Sequence, residues 1–299
     1  QPMFTHLMGA ALCRLRGIPY VLDVHDLWPD HLLTVGTLSA QHPVYRTFRA
    51  LTDASLRGAA GIITLSEGWT TTIQDYIGPS SKVQTVLSGI DLDRFRPGAD
   101  TAGFRARYGL GSARLVSFIG AFTTQYDFDT MLAAARLLAD RHGVRVLLGG
   151  GGTQAAHLDA LLTDDDRARV TRIGWVDYDD VPAAYAASDV CFWAMRPEPL
   201  YRGTMPTKLY EALAAGLPTA AAAEGVAADF LDESGAGLCV PCGDAGRLAE
   251  AIARLLDDDA LRVRCGRAGR AYAEAHLNHA RAVDAYESAL AKAAGRCNL

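Results

Sequence analysis

From residue 115 onward, short β-branched and apolar runs alternate with longer segments whose apolar positions recur at helical spacing. That rhythm predicts βαβ units and a mostly parallel sheet. Six runs carry the strands, at residues 115–119, 144–148, 170–173, 190–194, 219–222 and 237–240, with helical patterns such as 130–141 and 181–187 between them. Six strands complete one doubly wound sheet. Ahead of them stand only three strand candidates, at 20–24, 61–65 and 83–87, so the first half reads as an incomplete domain of the same α/β kind. Pro97, Gly98 and the polar residues through Thr101 interrupt both patterns and mark the expected linker. Alanine-rich helical stretches follow at 245–256, 261–276 and 280–294, the last packing on its own domain or reaching back to the first. The expected division is 1–97, 98–278 and a C-terminal helix at 279–299.

Composition narrows the class. A chain of 299 residues suits two domains, and 49% apolar with 21% charged residues is the balance of a globular protein. No apolar run approaches the ~18 residues of a membrane span. A net charge of −5 with scattered arginines argues against a nucleic-acid partner. Six cysteines make no disulfide framework in so long a chain, which suits a reducing cytoplasm. Cys239 and Cys242 have C-x-x-C spacing but no second ligand pair, and read as small buried side chains at a strand end. Asp164 to Asp166 and Asp257 to Asp259 read as solvated helix caps, so no metal is expected. The N-terminus lacks the pattern of a signal peptide, and Gln1 reads like the middle of a gene.

In doubly wound sheets ligands sit beyond the carboxyl ends of the strands, where helix N-termini face anions. The loop after residues 190–194 is such a place. It runs through Arg202, Gly203, Thr204 and Pro206 into Lys208-Leu-Tyr-Glu211-Ala-Leu-Ala-Ala-Gly216-Leu-Pro218. Gly203 permits close backbone approach, and Thr204 is the expected N-cap. Lys208 and Glu211, three apart, share a helix face. A cation for phosphate and a carboxylate for vicinal ribose hydroxyls suit a nucleoside diphosphate, whereas an isolated pair would be an ordinary salt bridge.

The segment 206–218 resembles the donor-site helix of retaining GT-B glycosyltransferases of the family-four type, also described as group 1. Other phrases resemble that family in the same order: Ser88-Gly-Ile-Asp91-Leu-Asp93-Arg-Phe-Arg-Pro97, the glycines up to Gly152, Ser188-Asp189-Val190, and Gly235-Ala-Gly237-Leu with Pro241 and Gly243-Asp244. The resemblance implies two Rossmann-like domains, the N-terminal one truncated, because the family's first strand and glycine-rich loop lie upstream of anything here. It implies that Gly120, Gly174, Trp175, Val176, Arg202, Gly203, Thr204, Lys208, Leu209 and Glu211 bind the donor, with Glu211 on the ribose. Trp175 covers the base or packs inside. It also places His25, with Asp26 beside it, near the transferred sugar, as catalytic group or as a hydrogen-bonding residue. Ser66, Glu67 and Trp69 line the acceptor path or serve as cap and packing.

Three departures stand out. Where many relatives hold the diphosphate with an Arg and a Lys, this chain has Ala121 and Tyr126; where relatives carry a first glutamate, it has Gly203; and the upstream loop is missing. Arg202 and Lys208 are the expected substitutes. The resemblance implies sugar transfer from a nucleotide diphosphate sugar, UDP preferred, to a sugar or lipid-linked acceptor hydroxyl. Retention, no cofactor, a role in surface polysaccharide or glycoconjugate synthesis, and a cytoplasmic site that admits peripheral association with the inner membrane face go with it. An inactive nucleotide-sugar-binding partner, or a fragment, is the alternative.

Overall fold

The computed structural model describes residues 3–98 and 101–297, so Gln1 and the middle of the expected linker lie outside the described residues. In chain order the elements begin with α1 (Met3–Leu15), β1 (Val21–Val24), α2 (His31–Thr34), α3 (Pro43–Gly58), β2 (Gly61–Thr64), α4 (Glu67–Ile77) and β3 (Val83–Thr85). There follow α5 (Ala102–Arg107), β4 (Arg114–Ile119), α6 (Phe128–His142), β5 (Val144–Gly149), α7 (Ala155–Leu161), α8 (Asp164–Arg167), β6 (Val170–Gly174), α9 (Val181–Ala186) and β7 (Val190–Ala194). After a 3₁₀ turn at Pro199–Gly203 come α10 (Thr207–Ala214), β8 (Thr219–Ala222), α11 (Val226–Ser234), β9 (Gly237–Val240), α12 (Ala245–Asp257), α13 (Asp259–His276) and α14 (His279–Cys297).

These elements form two compact units. The first holds residues 1–89, 198–205 and 279–299; the second holds 90–197 and 206–278. The break falls between Gly89 and Ile90, ahead of the expected linker. Its cause is Phe95, fully buried against Tyr185 and Tyr178, together with the Arg270 guanidinium, which donates to the carbonyls of Leu92 and Phe95 at 3.1 and 2.7 Å. Helix α14 belongs to the first unit.

In the first unit β1, β2 and β3 are parallel in that order. Alternation along β2 separates two cores: Ile62 packs with Leu22, Leu56 and Ile73 beneath α3 and α4, while Ile63 packs with Val86 and Ala289 of α14. Pro43 opens α3, where Val44 N–H donates to the His42 ring, and the Ser66 hydroxyl accepts from Trp69 N–H to cap α4.

The second unit is a six-stranded parallel sheet in the order β6-β5-β4-β7-β8-β9. Strands β4 and β7 are hydrophobic and almost wholly buried, as strands covered on both faces must be. The order reverses between β4 and β7, and that switch point defines the crevice where this architecture places ligands. One expectation about the surface fails: Asp166 is buried rather than a solvated cap. It closes a capping box with Thr163 and pairs with Arg136 at 2.7 Å. Asp258, by contrast, caps α13 as an exposed residue.

Candidate functional site

The loops leaving β4, β5 and β6 are knitted together through their backbones. Gly120 N–H donates to Gly149 O at 2.9 Å, Gly150 N–H to Gly174 O at 2.5 Å, and Phe122 N–H to Gly151 O at 2.7 Å. Glycine is obligatory at 150, where φ is +134° and a Cβ would stand 2.0 Å from Gly120 O. The loop from β4 then crosses to the next strand of the switch point: Asp127 N–H donates to Ala194 O, and Tyr126 bridges Met195.

This framework encloses a pocket of about 180 Å³ lined by Gly120, Ala121, Gly149, Gly150, Trp175, Val176, Tyr178 and Glu211, among others. Of the residues expected to bind a donor, Gly120, Trp175, Val176 and Glu211 meet here, with Gly174 turning the chain at φ +66° just before Trp175. Trp175 is 74% exposed, so the reading as a packing tryptophan falls away; it stands at the pocket rim. Val176 and Leu209 are buried, and Leu209 packs in the core behind the helix.

Lys208 and Glu211 rise from the first turns of α10. Lys208 is only 6% exposed, and its ammonium lies 4.0 Å from the Phe118 ring centre and 3.9 Å from that of Tyr126. A Cβ on Gly120 would sit 2.9 Å from Lys208 Nζ, so the ammonium lies directly above the turn that lines the pocket. Glu211 accepts a 2.9 Å hydrogen bond from the Tyr185 hydroxyl at Oε2. Burial raises the pKa of Glu211, opposed by that hydrogen bond and by the Lys208 charge. Burial also lifts Tyr185 well above the usual phenol range, so its hydroxyl remains a donor. In the strand beneath, burial pushes the Cys191 thiol up to about 12.

The sequence reading missed Tyr185, Phe118 and Tyr178. Phe118 and Tyr185 sit in segments that read as core, and only the tertiary fold brings them to Lys208 and Glu211, whereas Tyr178 stands among Asp177, Asp179 and Asp180 in a stretch that reads as a polar loop. In the sequence Tyr126 reads only as the absence of a cation, since nothing local places its ring against Lys208.

The remaining donor candidates, Arg202, Gly203 and Thr204, belong to the first unit. Ser66 Oγ donates to Gly203 O at 2.5 Å, and a Cβ on Gly203 would meet the Trp69 ring at 3.0 Å. The close approach expected at Gly203 is therefore to an indole. A larger side chain at this position would have to displace the ring, and Ser66 and Trp69 are cap and packing. Thr204 is not a helix N-cap: it closes the 3₁₀ turn, and Pro206 precedes α10 with no side-chain cap. Arg202 is exposed.

His25 and Asp26 follow β1 in the first unit and line a narrow cavity of about 30 Å³ with Asp23, Arg49 and Tyr76. The side-chain partner of His25 is Asp23, at 3.0 Å from Nε2, because residues two apart on an extended strand share a face. The Tyr286 hydroxyl of α14 donates to the same carboxylate at 3.2 Å. Asp23, His25 and Tyr286 thus form an oriented set. At the end of β9, Cys239 and Cys242 donate weakly to the carbonyls of Ala223 and Ala222 as free thiols.

No described helix is long and apolar enough to cross a membrane. Residues 113–258 match the family described as glycosyl transferases group 1, and residues 2–89 match the glycosyl transferase 4-like domain. The chain is 29% identical over 301 residues to the 2-deoxystreptamine glucosyltransferase of Streptomyces kanamyceticus, covering 97% of this chain and 76% of that protein. It is 32% identical over 207 residues to the GDP-mannose-dependent alpha-(1-6)-phosphatidylinositol monomannoside mannosyltransferase of Mycobacterium tuberculosis, covering 66% of this chain and 53% of that relative. The fold matches that of HepE from Anabaena, solved in complex with UDP-glucose, with a TM-score of 0.79, 20% identity, and coverage of 97% and 76%.

Proposed function

Because this chain belongs to the group 1 glycosyltransferases and has their GT-B α/β architecture, we propose that it transfers a sugar from a nucleoside diphosphate sugar to a hydroxyl acceptor with retention of configuration. The observation that carries this reading is the pairing, one turn apart on α10, of a buried ammonium above Gly120 and a largely buried carboxylate in the same pocket. In it, Glu211 accepts hydrogen bonds from the ribose hydroxyls, and Gly174 to Val176 receive the base, with Trp175 at its edge. Lys208 stabilises the charge that grows on the diphosphate as the anomeric C–O bond breaks. The acceptor oxygen bonds to the anomeric carbon on the same face as the leaving diphosphate and passes its proton to the departing diphosphate oxygen. His25, oriented by Asp23, contacts the sugar during transfer.

UDP is the proposed nucleotide and a sugar or lipid-linked alcohol of surface glycoconjugate synthesis the proposed acceptor. Similarity to a GDP-mannose-dependent enzyme makes GDP the competing donor. Titration calorimetry with UDP and GDP, followed by donor turnover assayed by NMR, tests the reading. Lys208→Ala and Glu211→Ala should each abolish measurable binding of the preferred nucleotide; binding unchanged in both would remove the proposed site. Nucleotide binding by the intact protein with no turnover on any acceptor would favour an inactive partner instead.

A further inference from the structure

Lys208 has the burial of a core residue and the charge of a surface one. Among the described residues it makes no ion pair. A buried ammonium with no counter-ion ordinarily costs so much that the group loses its proton or finds a partner. Here the partners are two aromatic faces, Phe118 and Tyr126, at 4.0 and 3.9 Å from Nζ. The rings are themselves fixed: Phe118 meets Tyr126 edge-on at 5.0 Å and Phe128 edge-on at 5.6 Å, and Phe122 closes the cluster.

We propose that Tyr126 and Phe118 are positioning residues that preset the Lys208 ammonium over Gly120, so that one held cation does the work of the two missing after β4. This rests on the donor-site reading above and deepens it. An aromatic face attracts a cation through its quadrupole but leaves the unit charge uncompensated, whereas a carboxylate would neutralise it. The rings therefore hold the ammonium without neutralising it, and apart from its longer-range interaction with Glu211 its charge is left to meet an incoming diphosphate. A lysine on a mobile stem would lose rotamer freedom when it bound phosphate, and a lysine already held has little left to lose. Tyr126 is more than a gap in the usual pattern, since a second ammonium in place of its ring would repel Lys208.

The test compares a nucleoside diphosphate with its nucleoside. Wild type, Tyr126→Phe, Tyr126→Leu and Tyr126→Met are titrated with UDP and with uridine, or with GDP and guanosine if the wild type prefers guanine. Tyr126→Phe, which keeps the ring, should bind both as the wild type does. Tyr126→Leu should bind the diphosphate roughly tenfold more weakly and the nucleoside unchanged. Tyr126→Met, which better preserves core volume, carries the same comparison if the leucine variant does not fold. A diphosphate-to-nucleoside ratio that stays at the wild-type value in the leucine or methionine variant overturns the positioning role, even if both affinities fall through loss of structure. Failure of the wild type to bind either diphosphate overturns the donor-site reading and this inference with it.

Discussion

The hydroxyl of Tyr185 donates to Glu211 Oε2 across 2.9 Å, from a ring with no exposed surface to a carboxylate that burial would otherwise push toward its neutral form. The hydrogen bond and the Lys208 charge favour ionisation; desolvation opposes it and dominates. The folded-state pKa of Glu211 therefore lies above its unfolded value, and the protein carries a folding penalty that is absent below the unfolded pKa and complete above the folded one.

Glu211→Gln should consequently raise the melting temperature at neutral pH and lose that gain in acid. The same change should weaken nucleotide binding about tenfold to a hundredfold, the scale of lost hydrogen bonds to a charged group. Tyr185→Phe should make nucleotide affinity fall more steeply than in wild type as pH drops from neutral. Paired melts and calorimetry across pH decide this; a glutamine variant less stable at neutral pH would contradict the assigned direction.

Gly150 sets a second expectation. At φ +134°, with a Cβ position 2.0 Å from Gly120 O, alanine forces the loops after β4 and β5 apart. Gly150→Ala should cost about 3 kcal/mol in denaturant unfolding, at the severe end of overpacking, and abolish nucleotide binding. Gly151→Ala, where nothing lies within 4 Å, serves as control and should stay near wild type.

How much of this was legible in the sequence follows from what each signal depends on. The six strands of the second unit were readable because doubly buried parallel strands are continuous apolar runs, as in residues 190–194. Lys208 and Glu211 were readable because helical spacing places them on one face. Tyr185 was not, since its segment has the pattern of any core-facing helix and its partner is 26 residues away. The division at Gly89 and Ile90 is not legible locally, because Pro97 and Gly98 punctuate the chain whereas the contacts of Phe95 and Arg270 that tie this segment into the second unit are long-range. The cap assigned to Thr204 failed because the preceding residues form a 3₁₀ turn held by Ser66, a tertiary contact that local propensity does not report.

Asp166 provides a pH signature independent of the pocket. Two hydrogen bonds from Arg136 and two from Thr163 hold its carboxyl well below the usual range. A depressed carboxylate pKa stabilises the fold above the unfolded value, and that contribution is lost as pH falls through the folded one. Asp166→Asn should lower stability by about 2 kcal/mol at neutral pH, with the difference from wild type shrinking in acid. A constant difference across the acid range would show that packing, not charge, matters at this position.

The 3₁₀ turn gives a prediction about the first unit. Gly203→Glu, the residue relatives carry, pushes a side chain into the Trp69 ring. It should destabilise by about 1–3 kcal/mol. Ser66→Ala loses both the α4 cap and the bond to Gly203 O and should cost about 1 kcal/mol. If Gly203→Glu were neutral in thermal unfolding, steric exclusion would no longer explain the glycine.

The final expectation separates donor binding from transfer. His25 is held by Asp23, which also accepts from Tyr286, whose phenol is pushed up to about 12 by burial and the Asp23 charge. These three groups lie in the first unit, whereas the pocket of Glu211 and Trp175 lies in the second. Asp23→Asn keeps the size of the side chain but replaces one carboxylate oxygen by an amide donor, so the His25 ring loses its charged partner and the orientation it fixes. If His25 serves the transferring sugar, Asp23→Asn should lower the transfer rate about a hundredfold, the scale of one positioned acid–base group, while nucleotide affinity stays at the wild-type value. His25→Asn should match it, and the double variant should be no worse than either single one, because both remove the same oriented imidazole. Nucleotide affinity falling in step with rate would place the defect in folding or donor capture, and rates adding independently would break the link between Asp23 and His25.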